Sequence, residues 1–115
     1  MNRVLPIILF FLSMESFSKT YSFECKGIYT SKDGVESKLS NSVLINTDSY
    51  SGTRTNSKGR VTNFTSVQIT NEYFRAFEKN WWDESPVEVV YINRKTFESK
   101  VNGGVGLCLL KNIYR

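Results

Sequence analysis

Residues 21–26 read Tyr21-Ser22-Phe23-Glu24-Cys25-Lys26. Large or apolar groups at 21, 23 and 25 alternate with polar ones at 22, 24 and 26. That is the period-two pattern of a strand with one face buried and the other wet. Gly27 interrupts and Tyr29 resumes the same face, which marks a bulge or bend at the glycine. Lys32-Asp33-Gly34 is a turn, because Asp-Gly supplies the positive φ that a tight hairpin requires.

The same texture continues along the chain. Strands are expected over residues 42–46, where Val43 and Ile45 oppose Leu44, and over residues 49–55, with a turn at Asn56-Ser57-Lys58-Gly59. Residues 61–70 alternate too, and their apolar face shifts between Phe64 and Val67 through Thr65-Ser66. Residues 87–93 give the clearest strand. Val87, Val89 and Tyr91 share one face while Val90 and Ile92 share the other, which predicts a central strand covered on both sides. Residues 97–101 return the chain, Asn102-Gly103-Gly104 turns it, and residues 106–110 end it. Residues 72–82 read two ways. Tyr73, Phe74, Phe77 and Trp81 fit helical spacing behind an Asn71 cap. Tyr73, Arg75 and Phe77 fit a strand, which the aromatic content and strand neighbours favour.

Turn signals every eight to twelve residues or so place the chain in the all-β class. The expected form is a small antiparallel barrel or sandwich of about eight strands. Ahead of it, Met1-Asn2-Arg3 gives a short positive start, residues 4–12 an apolar run, and Ser16-Phe17-Ser18 a small-residue cleavage site. This is the layout of a secretory signal peptide over residues 1–18. Its apolar run is shorter than the roughly twenty residues of a membrane-spanning helix. Cleavage leaves residues 19–115 as a single β domain, small enough to need reinforcement. Cys25 and Cys108 supply it. Export carries them to an oxidising compartment, where a disulfide persists. Closing a loop of more than eighty residues stabilises by about 4 kcal/mol in the chain-entropy view.

Fifteen basic and eleven acidic residues give a net charge of +4. The cations are scattered, with one loose group at Arg54, Lys58 and Arg60. A nucleic-acid reader shows a denser basic face with interleaved aromatics, so no nucleic acid is expected. The chain has no histidine, which removes the commonest general base and metal ligand. Bridged cysteines leave no thiolate for catalysis or zinc. Asp33 with Glu36, and Asp83 with Glu84, sit in turns or loops without the contrasting settings that tune two acids apart. No cofactor, metal or enzymatic activity is expected.

Cys25-Lys26-Gly27 stands early, Tyr91-Ile92-Asn93-Arg94-Lys95-Thr96 late, and Gly106-Leu107-Cys108 near the end. This combination resembles a loose group of small exported bacterial all-β proteins with no assigned activity. They share an early cysteine, a late strand ending in Asn-Arg-x-Thr-Gly and a terminal Gly-x-Cys. The resemblance implies a bacterial envelope address and a β fold. Phe97 stands where the group has glycine. In architecture the chain is also similar to periplasmic lysozyme inhibitors, by analogy only.

Trp81 and Trp82 are flanked by Glu78, Lys79, Asp83 and Glu84. Adjacent residues of a strand face opposite sides, so both cannot enter one core. On a structural view, one tryptophan fills the core and the other covers a barrel end. On a functional view, Trp81, Trp82, Asp83 and Glu84 present an aromatic, acidic surface to a partner, since aromatics dominate interface hot spots. The function expected is that of a non-catalytic periplasmic or secreted protein that binds another envelope or secreted protein and neutralises it, as an immunity or inhibitor protein does. The alternative is a small-molecule or lipid carrier using the barrel interior, which the many aromatics leave little room for.

Overall fold

The computed structural model describes residues 19–114, so the signal peptide read over residues 1–18 lies outside them. Among the described residues the regular elements are nine strands: β1 (Thr20–Thr30), β2 (Glu36–Asn46), β3 (Ser51–Asn56), β4 (Val61–Asn63), β5 (Ser66–Ile69), β6 (Tyr73–Lys79), β7 (Pro86–Asn93), β8 (Glu98–Val101) and β9 (Gly104–Tyr114). They form one sheet in the order β4-β3-β2-β1-β9-β8-β7-β6-β5. Every pair is antiparallel, and the sheet curls into a half-barrel. The all-β expectation holds, in the form of one curled sheet and not two facing ones.

Two places break the rule that strands pair with their neighbours in sequence. The first is β4 and β5, which stand at opposite edges although only Phe64 and Thr65 separate them. The Phe64 N–H donates to the Gly52 carbonyl in β3, whereas the Thr65 N–H donates to the Phe77 carbonyl in β6. Residues 61–69 are therefore one bent strand that changes partners halfway. The face shift between Phe64 and Val67 is this change, and both side chains are buried.

The second place is β1 and β9, first and last, which pair in the middle of the sheet. The disulfide joins the first strand to the last, which are immediate neighbours in the sheet, and the edges of the described sheet are β4 and β5. Cys25 faces Cys108 and Gly27 faces Gly106. The cysteine Cα atoms are 3.9 Å apart, inside the roughly 4.5 Å of an ordinary close antiparallel pair. A Cβ on Gly106 would collide with the Lys26 carbonyl oxygen and stand 2.6 Å from the Gly27 Cα. Cys-Lys-Gly and Gly-Leu-Cys are thus one feature, a closely approaching pair written in opposite directions.

Phe23, Val43, Ile45, Phe74, Val90 and Ile92 fill the interior, each almost wholly buried. Phe23 meets Phe74 and Phe97 at ring centroid distances of 5.8 and 6.3 Å. Arg54, expected in a scattered basic group, is buried instead. Its Nε and Nη2 donate to Glu78 at 3.2 and 3.3 Å, and its Nη1 donates to Asn41 at 3.4 Å. The pair ties β3 to β6 across the bent strand. Phe97 adopts a φ of 64°, a left-handed conformation that costs a non-glycine residue about 1 kcal/mol. Packing of the partly buried ring against Phe23 offsets the cost.

Residues 72–82 resolve as strand β6, with Phe74 and Ala76 inward, followed by a loop. The covered-on-both-sides expectation for residues 87–93 is corrected. Only Val90 and Ile92 are buried, while Val87 is exposed and Val89 and Tyr91 are half-buried. The register shifts so that Ala76 opposes Val90 and Phe77 opposes Glu88, leaving Val89 unpaired. Among the described residues nothing covers the outer face, because this single sheet packs on itself.

Gly106→Ala is expected to lower the unfolding free energy in urea by about 2 kcal/mol or more, through forced separation of β1 and β9. Val35→Ala, at an exposed turn, should change it by less than about 0.5 kcal/mol. Equal effects of the two would show that the close approach is unimportant.

Candidate functional site

The loop over residues 80–85 joins β6 to β7 and carries all four residues singled out for binding. Its base is closed by backbone bonds: the Asn80 N–H donates to the Ser85 carbonyl at 2.9 Å, and the Glu84 N–H to the Asn80 carbonyl at 3.0 Å. Asp83 closes it further. Its Oδ1 accepts from the Ser85 N–H at 3.0 Å and from the Ser85 hydroxyl at 2.8 Å. The Asn80 amide donates to the Ser85 Oγ at 3.2 Å. Glu84 turns the chain with a φ of 59°. The loop is short and cross-braced.

Both tryptophans stand outside. Trp81 is 87% exposed and Trp82 is 65% exposed. Their rings meet edge to face, with centroids 5.2 Å apart and planes at 88°. The structural view, in which one enters the core, is corrected: the strand ends at Lys79, so the alternation that would send one ring inward never reaches them. Asp83 and Glu84 are also exposed. The four residues therefore share one protruding surface, aromatic at its tip and acidic on its flank. The Asp83 carboxyl is held below its ordinary value of 3.8, first by the Ser85 backbone N–H and then by the Ser85 hydroxyl. Hydrogen bonds to the charged form have this effect.

A second surface escaped the sequence reading. Val105, Leu107 and Leu109 point outward from β9, with Ile28 of β1 opposite Val105. They line an open trough of about 1190 Å³ over the outer face of β1, β2 and β9, with Lys26, Lys38 and Lys111 also lining it. The signal was available. If Cys108 faces inward, period-two alternation sends Leu107 and Leu109 out. Among the described residues, no cluster of three or more acids or cysteines is placed to hold a metal ion.

No family description, curated protein or solved structure matches the chain.

Because the folded Asp83 titrates below its ordinary value, its bracing of the loop is complete above that value. The bracing is lost as pH falls through the lower, folded one. An NMR titration is expected to place the Asp83 midpoint below 3.8, with the Ser85 amide shift following the same curve. A midpoint at or above 3.8, or an unmoved Ser85 amide, would contradict the bracing.

Proposed function

We propose that this is an exported, non-catalytic protein that binds another envelope or secreted protein through the β6–β7 loop and neutralises it, as an immunity or inhibitor protein does. One observation carries the reading: two adjacent tryptophans stand clear of the core on a hydrogen-bonded loop. Large aromatic surface in water gains most from being covered, and tryptophan is enriched at the centres of interfaces. A braced loop loses little further freedom on binding, so more of that gain appears as affinity. Asp83 and Glu84 at its side suit a partner with a basic rim around an apolar pocket.

The disulfide supports an oxidising, non-cytoplasmic address, since such bonds persist there. Export by residues 1–18 is part of the proposal. The carrier alternative finds less support, because Phe23, Phe74 and their buried neighbours occupy the interior a cargo would need.

The test immobilises the oxidised chain of residues 19–115 and exposes it to native envelope and culture fractions, with mass spectrometry of what stays bound. One dominant protein is expected, lost on the double change Trp81→Ala and Trp82→Ala in a variant with unchanged circular dichroism. Capture unaffected by that change would remove the loop from the account. Recovery of a lipid or small molecule in place of a protein would favour the carrier.

A further inference from the structure

We infer that the outer face of β9 joins two copies of this chain in a twofold dimer. Val105, Leu107 and Leu109 are 64, 59 and 63% exposed, and Ile28 beside them is 45% exposed. Together they make a contiguous apolar stripe in the middle of the sheet. Both edges of β9 are already paired, to β1 and β8, so the stripe offers a face and not an edge for strand addition.

The charges beside the stripe choose the occupant. Leu107 is opposed by Lys26 on β1 and by Glu98 on β8. Both flanking residues are exposed. A cation and an anion therefore stand level with one another on opposite sides of the central leucine. Consider a second copy laid face to face, about 10 Å away as packed sheets are, about a twofold axis parallel to β9. Leu107 then meets Leu107, and each Lys26 meets Glu98 of the second copy, twice by symmetry. An axis running across the strands would instead set Lys26 against Lys26 and Glu98 against Glu98. At the level of Leu107 the charges favour the parallel axis. At the level of Val105 the same axis lays Lys100 of β8 over Ile28 of the second copy, its aliphatic stem against the apolar side chain. Such an interface is self-complementary and closes at two copies.

Lys26, Lys38, Lys100 and Lys111 outnumber Glu24 and Glu98 around the stripe, so the face is net positive and an anionic lipid surface is the rival occupant. The level placement of Lys26 and Glu98 on either side of Leu107 is what favours a second copy. The apolar stripe is small against the roughly 800 Å² that each partner buries in a standard interface. The dimer is accordingly weak. The parallel axis also keeps both β6–β7 loops at one end of the pair, the end where β9 begins. On the reading of that loop given above, the dimer would offer a partner two aromatic tips at once.

Sedimentation equilibrium of the oxidised chain of residues 19–115, from about 5 to about 500 µM, tests this. A monomer–dimer equilibrium is expected, with a dissociation constant on the order of 10 µM. Leu107→Glu should leave only monomer. Lys26→Glu should weaken the dimer by about tenfold or more by facing two acids across the axis, and adding Glu98→Lys should restore it. The exchanged pair is wholly on the surface, so it keeps the test available if Leu107→Glu fails to fold. Changing Trp81 and Trp82 to alanine should leave the equilibrium as it was, which separates this interface from the loop. Monomer at every concentration would overturn the inference. So would a dimer indifferent to Lys26→Glu, or one that Glu98→Lys does not rescue. Flotation of a purely monomeric chain with phosphatidylglycerol vesicles would assign the face to a lipid surface instead.

Discussion

Between Cys25 and Cys108 the first and last strands approach to 3.9 Å, Cα to Cα, across 83 residues of sequence. The other strand pairs are hairpins or short meanders, whose ends cost little entropy to bring together. Pairing β1 with β9 is the one long closure, and it joins the meander β1–β4 to the meander β5–β9. Without it, the backbone would join the two halves only through Phe64 and Thr65, leaving side-chain contacts such as Arg54–Glu78 and Phe23–Phe74 to hold them together. β1 and β9 would also become open edges, each with a row of unpaired backbone groups. The disulfide and the facing glycines act on the same joint by different means. The bridge shrinks the unfolded ensemble, and the missing Cβ atoms at Gly27 and Gly106 let the strands close.

From that joint the sheet has to curl. Residues 61–69 bend at Phe64-Thr65 and pass from β3 to β6, and the Arg54–Glu78 ion pair spans the same crossing at 3.1 Å. Side chains on the concave side fill the interior, and the convex side meets water. A single sheet packed on itself leaves more apolar outer surface than a two-layer fold, because no second layer exists to cover it. The β9 stripe is a consequence of that geometry, as is the half-exposed outer face of β7. The β6–β7 loop projects from one end of the same scaffold and owes its exposure to a different cause, the bracing of its base by Asn80, Asp83 and Ser85.

Much of this was legible in the residues. Alternation at Tyr21-Phe23-Cys25 and at Val90-Ile92 names strands and their inward faces, and Asp33-Gly34 and Asn102-Gly103 name turns. The face shift between Phe64 and Val67 was visible too, but its meaning was not, because a change of pairing partner is a property of the whole sheet. Arg54 looks like any surface cation until Glu78 and Asn41, distant in sequence, arrive beside it. Trp81, Trp82, Asp83 and Glu84 are contiguous in sequence, so their falling on one loop was legible, yet their exposure could not be read. Aromatic spacing over residues 72–82 fits helix and strand alike, and only the end of β6 at Lys79 frees Trp81 and Trp82. Leu107 and Leu109 were legible in principle, since Cys108 between them faces inward. An apolar residue near the end of a strand reads by habit as core.

Native-state hydrogen exchange of the oxidised chain, resolved residue by residue, tests the central claim that the sheet is organised around the β1–β9 joint. Exchange through the rarest openings marks the part of a fold that opens last. The account predicts the slowest amides in the hydrogen-bonded positions of β1 and β9 on either side of Cys25 and Cys108, intermediate ones in β6 and β7, and fast ones at Trp81 and Trp82. Slowest exchange confined to β5–β7, with β1 and β9 opening freely while the disulfide stays intact, would contradict it.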